Sequence, residues 1–220
     1  MVSIRHWAAC TALVIAAGTG CGAETPDYQS IWTTPGSTTP TTTETPVPVA
    51  QYLESVGVTG ETVPPDKLTD LTVTVPTPPG WKPVNNPNFA PGTWAIAKGD
   101  GYPMAMLLVF KLNGDFDVAQ AVQHGYADAE LSKNFKRLHA STDSWRGFPS
   151  AMIEGSYDLH DRRMHSYNRI VFPTGSPPAN QRYLVQLTVT GYAEKAFEES
   201  ADIEAIIGGF KVEVPPAPKR

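Results

Sequence analysis

The sequence predicts an α+β fold in which a mostly antiparallel β-sheet is covered by helices. The prediction rests on several strand-like runs joined by short turns, on two amphipathic helical segments, and on their order. After a short N-terminal helical segment come three strands, a helix, four strands, a second helix and a last strand. Short connections favour antiparallel pairing, and amphipathic helices bury their apolar side against a sheet.

The first elements follow from hydrophobic periodicity. Residues 50–56 carry apolar side chains at helical spacing, whereas residues 71–75 alternate between apolar and polar as a strand does. Residues 93–98 form the second strand, and a turn at residues 99–101 leads into the third. That third strand, residues 104–110, is apolar throughout, which predicts a central strand covered on both faces.

The first long helix is predicted from its N-terminal cap. Asp117 is a good N-cap residue, and Gln120 three positions later completes a capping-box pattern. Apolar residues then recur every three or four positions between 118 and 129, which gives the helix one apolar side. Cations complement the negative end of a helix dipole. The basic residues expected to end this helix are Lys133, Lys136 and Arg137.

The C-terminal half reads mainly as strands. Strand-like runs occupy residues 135–142, 148–159 and 163–172, and residues 182–190 alternate with a clear period of two. A last strand is predicted at residues 210–214.

A second helix is predicted over residues 194–207, between the last two strands. Its apolar stripe is expected to contain Ala196, Ile203 and Ile207. The pair Gly208-Gly209 follows directly and is expected to cap the helix, because glycine is favoured just past a helix end.

Composition excludes several classes of protein. The 220-residue chain has 17 Lys and Arg against 22 Asp and Glu, a formal net charge of −5. A nucleic-acid partner is therefore not expected, because phosphate binding requires clustered positive charge. Hydrophobic residues at 41% and only two cysteines also exclude a polytopic membrane protein and a disulfide scaffold.

The first residues have the pattern of an export signal. Arg5 precedes an apolar run at residues 7–17, which is too short to span a bilayer as a helix. Small residues then lead to Cys21, an order that resembles a bacterial lipoprotein signal, in which this cysteine receives a diacylglycerol. The position three before it is Gly18 instead of the usual aliphatic residue. The alternative is an ordinary signal peptide cut nearby, with Cys21 incidental.

Four segments are predicted along the chain. Residues 1–20 are the lipoprotein signal peptide, and residues 21–49 are a disordered tether rich in threonine and proline. Residues 50–214 form a single domain, followed by a tail at residues 215–220. The other cysteine, Cys10, lies in the leader, so the exported chain would keep Cys21 alone, and acylation would explain this unpaired thiol.

Four linked motifs in the domain resemble the LpqN/LpqT type of mycobacterial and related actinobacterial lipoproteins. They are Pro-Thr-Pro-Pro-Gly-Trp at 76–81, Asp-Phe-Asp at 115–117, Val-Gln-Leu-Thr-Val-Thr-Gly-Tyr at 185–192 and Gly-Phe at 209–210. The resemblance covers residues 50–214. It implies a sheet sandwiched by helices, similar to Mog1 and PsbP, and a non-enzymatic role in envelope lipid or glycolipid biology or in protein contacts. It supplies no catalytic residues.

The sequence contains no standard catalytic motif. A nucleophile elbow and glycine-rich phosphate loops are both lacking, so no catalytic residue and no cofactor are predicted. His160 and His165, near Asp158 and Asp161, could bind Zn²⁺. The preferred interpretation is a solvated hairpin tip without metal.

Aromatic residues are the candidates for ligand contact. Trp81, Trp94, Tyr102 and Trp145 could line an apolar groove between sheet and helix, with core packing as the alternative. A patch for anionic headgroups is a further hypothesis. Its residues would be Arg162, Arg163, Arg169 and Arg182.

The predicted function is that of a lipid-anchored binding protein, not an enzyme, on the outer face of the plasma membrane. The expected partners are the membrane, through the lipid on Cys21, and an envelope lipid or glycolipid or an envelope transport complex. The alternative is a protein–protein interaction module, for an envelope complex or a host partner, without a small ligand. A hydrolase lacking any standard motif is a third hypothesis.

Overall fold

The computed structural model describes residues 45–99 and 101–215. The predicted leader, Cys21 and nearly all of the tether lie outside these residues, as does the end of the tail. The N-terminal half contains the following elements: α1 (Val49–Ser55), β1 (Thr59–Thr62), β2 (Thr72–Thr74), β3 (Trp81–Pro83), β4 (Trp94–Lys98), β5 (Met104–Asn113), α2 (Val118–Gln123) and α3 (Ala127–Glu130). The C-terminal half contains β6 (Lys136–Ser141), β7 (Ser150–Leu159), β8 (Arg162–Val171), β9 (Arg182–Tyr192), α4 (Ala196–Gly209) and β10 (Lys211–Glu213).

Eight of these strands form one antiparallel sheet in the order β3-β4-β5-β9-β8-β7-β6. The eighth, β1, pairs with the second half of β5, while β4 pairs with its first half. On its other side β5 pairs with β9 along its length, from Met104 opposite Thr190 to Leu112 opposite Arg182. The α+β prediction is confirmed, and the apolar strand β5 is central as expected.

Helices cover both faces of this sheet. On one face Ile203 and Ile206 of α4 pack over β5 and β9, together with a small sheet made by β2 and β10. On the other face Leu53 of α1 and Val122 of α2 pack over Phe110 of β5. Burying apolar surface on both faces accounts for most of the driving force for folding. No helix in the described ranges has the length and apolar character needed to span a membrane.

The predicted first long helix is wrong in extent. Asp117 caps α2 as expected, with its Oδ1 accepting hydrogen bonds from the backbone N–H groups of Ala119 and Gln120. The helix then stops and restarts as α3, because the chain approaches the sheet at Gly125. A Cβ atom at this glycine would lie 2.6 Å from the Cβ of Ala151. The cations Lys136 and Arg137 consequently lie on β6 and not at a helix end.

The closing helix also differs from its prediction. It continues through Gly208 and Gly209, so these glycines do not cap it. Its buried side chains are Ile203 and Ile206, whereas Ile207 is half-buried. Strands β1 and β3 carry no alternating apolar pattern, so the sequence does not predict them. Only their pairing, of β1 with β5 and of β3 with β4, defines them as strands.

Candidate functional site

Trp81 is a core residue. It begins β3, is 5% exposed and packs with the α4-side residues of the sheet. Its indole Nε1–H donates to Asp202 Oδ2 at 3.1 Å, which joins the sheet edge to α4. Trp94 is half-buried against the same core.

Trp145 is a packing residue as well. Its ring stacks on the Phe210 ring, with 6.0 Å between the two centroids. On the Trp145 ring lies the guanidinium group of Arg169, whose carbon is 4.1 Å from the centroid of that ring. Arg169 is itself buried and donates to the Tyr167 hydroxyl and to Ser150 Oγ. Ligand contact by these tryptophans is therefore not favoured, because their rings are engaged in the core.

The four arginines considered for anion binding do not share a surface, so that hypothesis is wrong. Arg169 is buried under Trp145, and Arg163 pairs with Asp158 at 2.8 Å. Arg182 donates to the carbonyl of Phe116. Arg162 is the exposed member, and it pairs with Glu194 at 2.7 Å.

The histidine hairpin tip is a solvated turn. His160 lies in the turn between β7 and β8, with a positive φ of 50°. His165 lies on β8, after the turn, and its Nε2 atom is 2.9 Å from Oε1 of Glu154 on β7. Within the part of the chain that the structure describes, no three His, Cys, Asp or Glu side chains are grouped to hold a metal ion.

Tyr102 is the predicted candidate that lines an open pocket. The pocket has a volume of about 460 Å³ and lies where β5 begins and β9 ends. Its walls come from the β4–β5 connection and from the junction between β9 and α4. The lining residues are Lys98, Gly99, Tyr102, Pro103, Tyr192, Lys195, Glu198 and Glu199.

Strand register brings these two walls together. Because Met104 pairs with Thr190, the residues just before β5 lie beside the residues just after Thr190. Tyr102 and Tyr192 consequently meet edge to face, with ring centroids 5.4 Å apart and an interplanar angle of 64°. The guanidinium carbon of Arg162 lies 4.9 Å from the centroid of the Tyr192 ring and adds a cation–π contact.

Charged groups of both signs surround the tyrosines. Lys98 Nζ lies 2.6 Å from Asp202 Oδ2, and hydrogen bonds from Lys98 and then from Trp81 lower the pKa of Asp202. Burial raises the pKa of Glu199, and the nearby ammonium groups of Lys195 and Lys98 oppose that shift only in part. The buried Glu199 Oε2 accepts no hydrogen bond from the residues that the structure describes. The pocket therefore offers donors, acceptors and an aromatic wall.

Replacing Glu199 by glutamine is expected to stabilise the folded protein at neutral pH. Because its folded-state pKa is raised, the ionised carboxylate opposes folding above that pKa, and the penalty disappears as pH falls towards the ordinary value of a glutamate. The stability advantage of Glu199→Gln should therefore shrink in mild acid. Urea unfolding from pH 7 to pH 4 measures it, with the exposed Glu204→Gln on the same helix as control. An equal advantage at every pH would contradict the expectation.

Tyr192, Lys195, Glu198 and Glu199 were not among the predicted site residues. The sequence places Tyr192 at the end of a strand motif and the other three in an amphipathic helix. No local pattern marks them, because the pocket depends on the pairing of β5 with β9, which joins residues about ninety positions apart.

Comparisons with known proteins agree with this architecture. The family model described as "Probable lipoprotein LpqN" matches residues 45–213. The chain is 60% identical to "Putative lipoprotein LpqT" of Mycobacterium tuberculosis (strain CDC 1551 / Oshkosh) over 214 residues, 96% of this chain and 95% of that protein. It is 54% identical to the protein of the same name from Mycobacterium leprae (strain TN) over 207 residues, 94% of this chain and 95% of that protein.

A crystal structure of LpqN, described as involved in cell envelope biogenesis of Mycobacterium tuberculosis, has the same fold. It superposes with a TM-score of 0.64 and 17% sequence identity, over 77% of this chain and 98% of that one.

Proposed function

The chain belongs to the LpqN lipoprotein family, and from that premise we propose that it is a lipid-anchored binding protein of the cell envelope and not an enzyme. The proposed ligand is an envelope lipid or glycolipid whose polar head occupies the pocket between Tyr102 and Tyr192. The observation that carries this proposal is the pocket itself, which combines two tyrosine rings with ammonium and carboxylate groups.

The chemistry of the pocket suits a sugar headgroup. A sugar ring has an apolar C–H face, which can pack on a tyrosine ring, and hydroxyls that both donate and accept hydrogen bonds. Lys195 supplies donors, and the carboxylates of Glu198 and Glu199 supply acceptors. A volume of about 460 Å³ suits one or two sugar rings and is within the usual range for small-molecule sites.

The pocket lies away from the N-terminal start of the domain, which supports presentation of a bound ligand at a distance from the proposed lipid anchor. The first described residues lie against α2, where the carbonyl oxygen of Val47 is 3.0 Å from His124 Nδ1 and Tyr52 stacks on the His124 ring. Helices α1 and α2 pack on the face of the sheet opposite α4, whereas the pocket lies where β5 begins and is lined by residues of α4.

The proposed anchor is the lipid on Cys21, with the residues between Cys21 and α1 as the tether on the outer face of the plasma membrane. The description of the solved relative, LpqN, as involved in cell envelope biogenesis supports this compartment. No nucleic acid is part of the proposal, since the chain carries net negative charge. The proposal includes no cofactor.

The second candidate function is a protein–protein interaction module without a small ligand. Phe197 favours it, because this aromatic side chain is 92% exposed on α4. An exposed aromatic residue of this size is a common feature of protein interfaces.

The proposal is tested by native mass spectrometry of the full chain after incubation with a total lipid extract of the source envelope. We expect a stoichiometric adduct of lipid mass whose fragments include a sugar. Tyr192→Ala should raise the lipid concentration needed for half occupancy about tenfold, equivalent to losing about 1.4 kcal/mol of binding energy. Tyr102→Ala should act similarly, because the two rings form one wall.

Tyr52→Ala is the matched control, because Tyr52 stacks on His124 on the face of the sheet opposite α4, does not line the pocket and should leave binding unchanged. A folded protein without any adduct would favour the interaction module. An adduct that both pocket variants retain would place the ligand elsewhere and contradict the proposed site.

A further inference from the structure

The inner wall of the pocket forms where Glu199 of α4 meets Gly191 of β9. Gly191 is buried, and a Cβ atom placed on it would lie 2.8 Å from Glu199 Oε2 and 3.5 Å from Cβ of Pro103. The carboxyl group of Glu199 can lie against the strand only because residue 191 has no side chain. Since Glu199 and Pro103 also line the pocket, this carboxyl group lies between the pocket and the sheet.

The surroundings of the Glu199 carboxyl group are poor in hydrogen-bond donors. Its Oε2 atom is buried and accepts no hydrogen bond from the residues that the structure describes. Pro103 has no backbone N–H, and Ile203, whose Cδ1 lies on the same side of Gly191, is apolar. An acceptor without a donor is unfavourable in a folded protein. Rotation of the carboxyl group can turn either oxygen towards the pocket, so a ligand that brings hydroxyl groups would satisfy it.

Two cations near the pocket are already paired. Lys98 Nζ lies 2.6 Å from Asp202 Oδ2, and Arg162 Nη1 lies 2.7 Å from Glu194 Oε1. Their charges are therefore balanced within the protein, which weakens their attraction for an anionic ligand.

Among the other charged groups that line the pocket, carboxylates outnumber cations. These groups are Lys195, Glu198 and Glu199, and none of them forms an ion pair with a residue in the ranges 45–99 and 101–215. A phosphate or carboxylate headgroup would meet more repulsion than attraction here. Hydroxyl groups suit both signs of charge, because they donate to carboxylates and accept from ammonium groups.

We propose that Glu199 is the specificity-determining residue of the pocket and that it selects a neutral headgroup with hydroxyl donors over phosphate and carboxylate headgroups. Gly191 contributes by leaving room for the carboxyl group. This inference rests on the proposed function and narrows it to one class of headgroup and one residue that distinguishes that class.

The selection has a pH dependence of definite sign. Burial raises the pKa of Glu199 in the free protein, whereas hydroxyl donors of a bound sugar favour the ionised form. Binding therefore releases a proton, and affinity falls as the pH drops through the pKa of the free carboxyl group. The charged and titratable groups that face it are Lys195, Glu198 and Asp202 on and beside α4, Lys98 on β4, Tyr102 before β5, Tyr192 on β9, and, on β8, Arg162 beside Tyr192 and His165 opposite Gly191.

Two amphiphiles of equal chain length test the selection on the full chain. Octyl β-D-glucoside is the neutral probe and octyl phosphate is the anionic probe, both below the concentrations at which they form micelles. NMR titrations follow the backbone amide of Gly191. We expect the glucoside to bind at least tenfold more tightly than the phosphate at pH 7, and its affinity to fall about tenfold towards pH 4.

Glu199→Gln tests the residue. Because glutamine resembles the protonated acid, this variant should bind octyl glucoside about tenfold more weakly at pH 7 and equally well at both pH values. A pH dependence caused by His165 would persist in the variant. Glu204→Gln is the matched control, since Glu204 is exposed on the same helix, does not line the pocket and should bind like the unchanged chain.

Gly191→Ala tests the room that the carboxyl group needs. The added methyl group would meet the end of a flexible side chain, so the variant should fold, as a circular dichroism melt verifies. It should push the carboxyl group into the pocket and weaken octyl glucoside binding at least tenfold. Gly208→Ala, where an added Cβ has no heavy atom within 4 Å, should leave binding unchanged.

The outcomes separate this inference from the proposed function. If Tyr192→Ala weakens octyl glucoside binding but Glu199→Gln and Gly191→Ala do not, the role of Glu199 is overturned and the pocket remains the site. Octyl phosphate binding as tightly as the glucoside, or a pH dependence that survives in Glu199→Gln, would also overturn it. A folded chain that binds neither probe would overturn the inference and the proposed sugar site together.

Discussion

Replacing Phe210 by alanine is expected to lower the free energy of unfolding by about 3–5 kcal/mol. Phe210 is fully buried where α4 passes into β10, and it packs in the α4-side core. Its ring stacks on Trp145, and its carbonyl accepts a hydrogen bond from Arg146 Nε. Truncation would leave a cavity between α4, the small sheet and the main sheet, which the surrounding structure can fill only in part.

The control for this substitution lies on α4, the helix that precedes Phe210. Phe197→Ala makes the identical chemical change at a position that is 92% exposed, so we expect a change within about 0.5 kcal/mol. Urea unfolding at dilute protein concentration measures the change in the free energy of unfolding for both variants. The slope of free energy against denaturant concentration is held constant in the comparison. A loss below about 1 kcal/mol for Phe210→Ala would show that the α4-side core is loosely packed at this point.

Replacing Gly155 by alanine is the second substitution with a large expected effect. A Cβ atom at Gly155 would lie 2.4 Å from the Phe135 ring and 2.7 Å from the backbone carbonyl oxygen of Lys136. Because a backbone atom cannot rotate away, β6 must move from β7, and we expect a loss of about 1–3 kcal/mol. Faster hydrogen exchange at the amides of β6 should accompany it, since this strand lies at the edge of the sheet.

The same substitution at Gly208 is expected to have the opposite sign. Gly208 is helical, and a Cβ atom there would have no heavy atom within 4 Å. Glycine is about 1 kcal/mol less favourable than alanine within a helix, so Gly208→Ala should leave stability unchanged or raise it slightly. If the Gly155→Ala variant were as stable as the Gly208→Ala variant, β6 would not lie as close to Gly155 of β7 as the structure places it.

Local physical chemistry explains which elements could be predicted. Asp117 caps α2 because a carboxylate bonds the free amides of a first helical turn whatever the rest of the chain does. The alternation of Tyr183, Val185 and Leu187 predicts a strand for an equally local reason. β1 escaped prediction because its four residues, Thr-Gly-Glu-Thr, become a strand only by pairing with β5.

The candidate site likewise has residues that the sequence can predict and residues that only the fold brings together. The sequence predicts large aromatic residues as ligand contacts, yet Trp81, Trp94 and Trp145 pack in the core, where their large apolar area contributes most to folding. Tyr102 lines the pocket, but the partners that make the pocket, above all Tyr192 and Glu199, are distant in the chain. A list of aromatic residues cannot tell a core ring from a pocket ring, because burial depends on which strands pair.

By itself the sequence determined the family resemblance, the α+β class, the capped start of α2 and most strands, because each depends on residues within a few positions of one another. Only the tertiary structure decided that the first helix breaks at Gly125, that Lys136 and Arg137 do not end it, and that a pocket forms beside Tyr102. Each of these depends on contacts between distant residues, such as Gly125 against Ala151 or Met104 opposite Thr190, which periodicity does not encode.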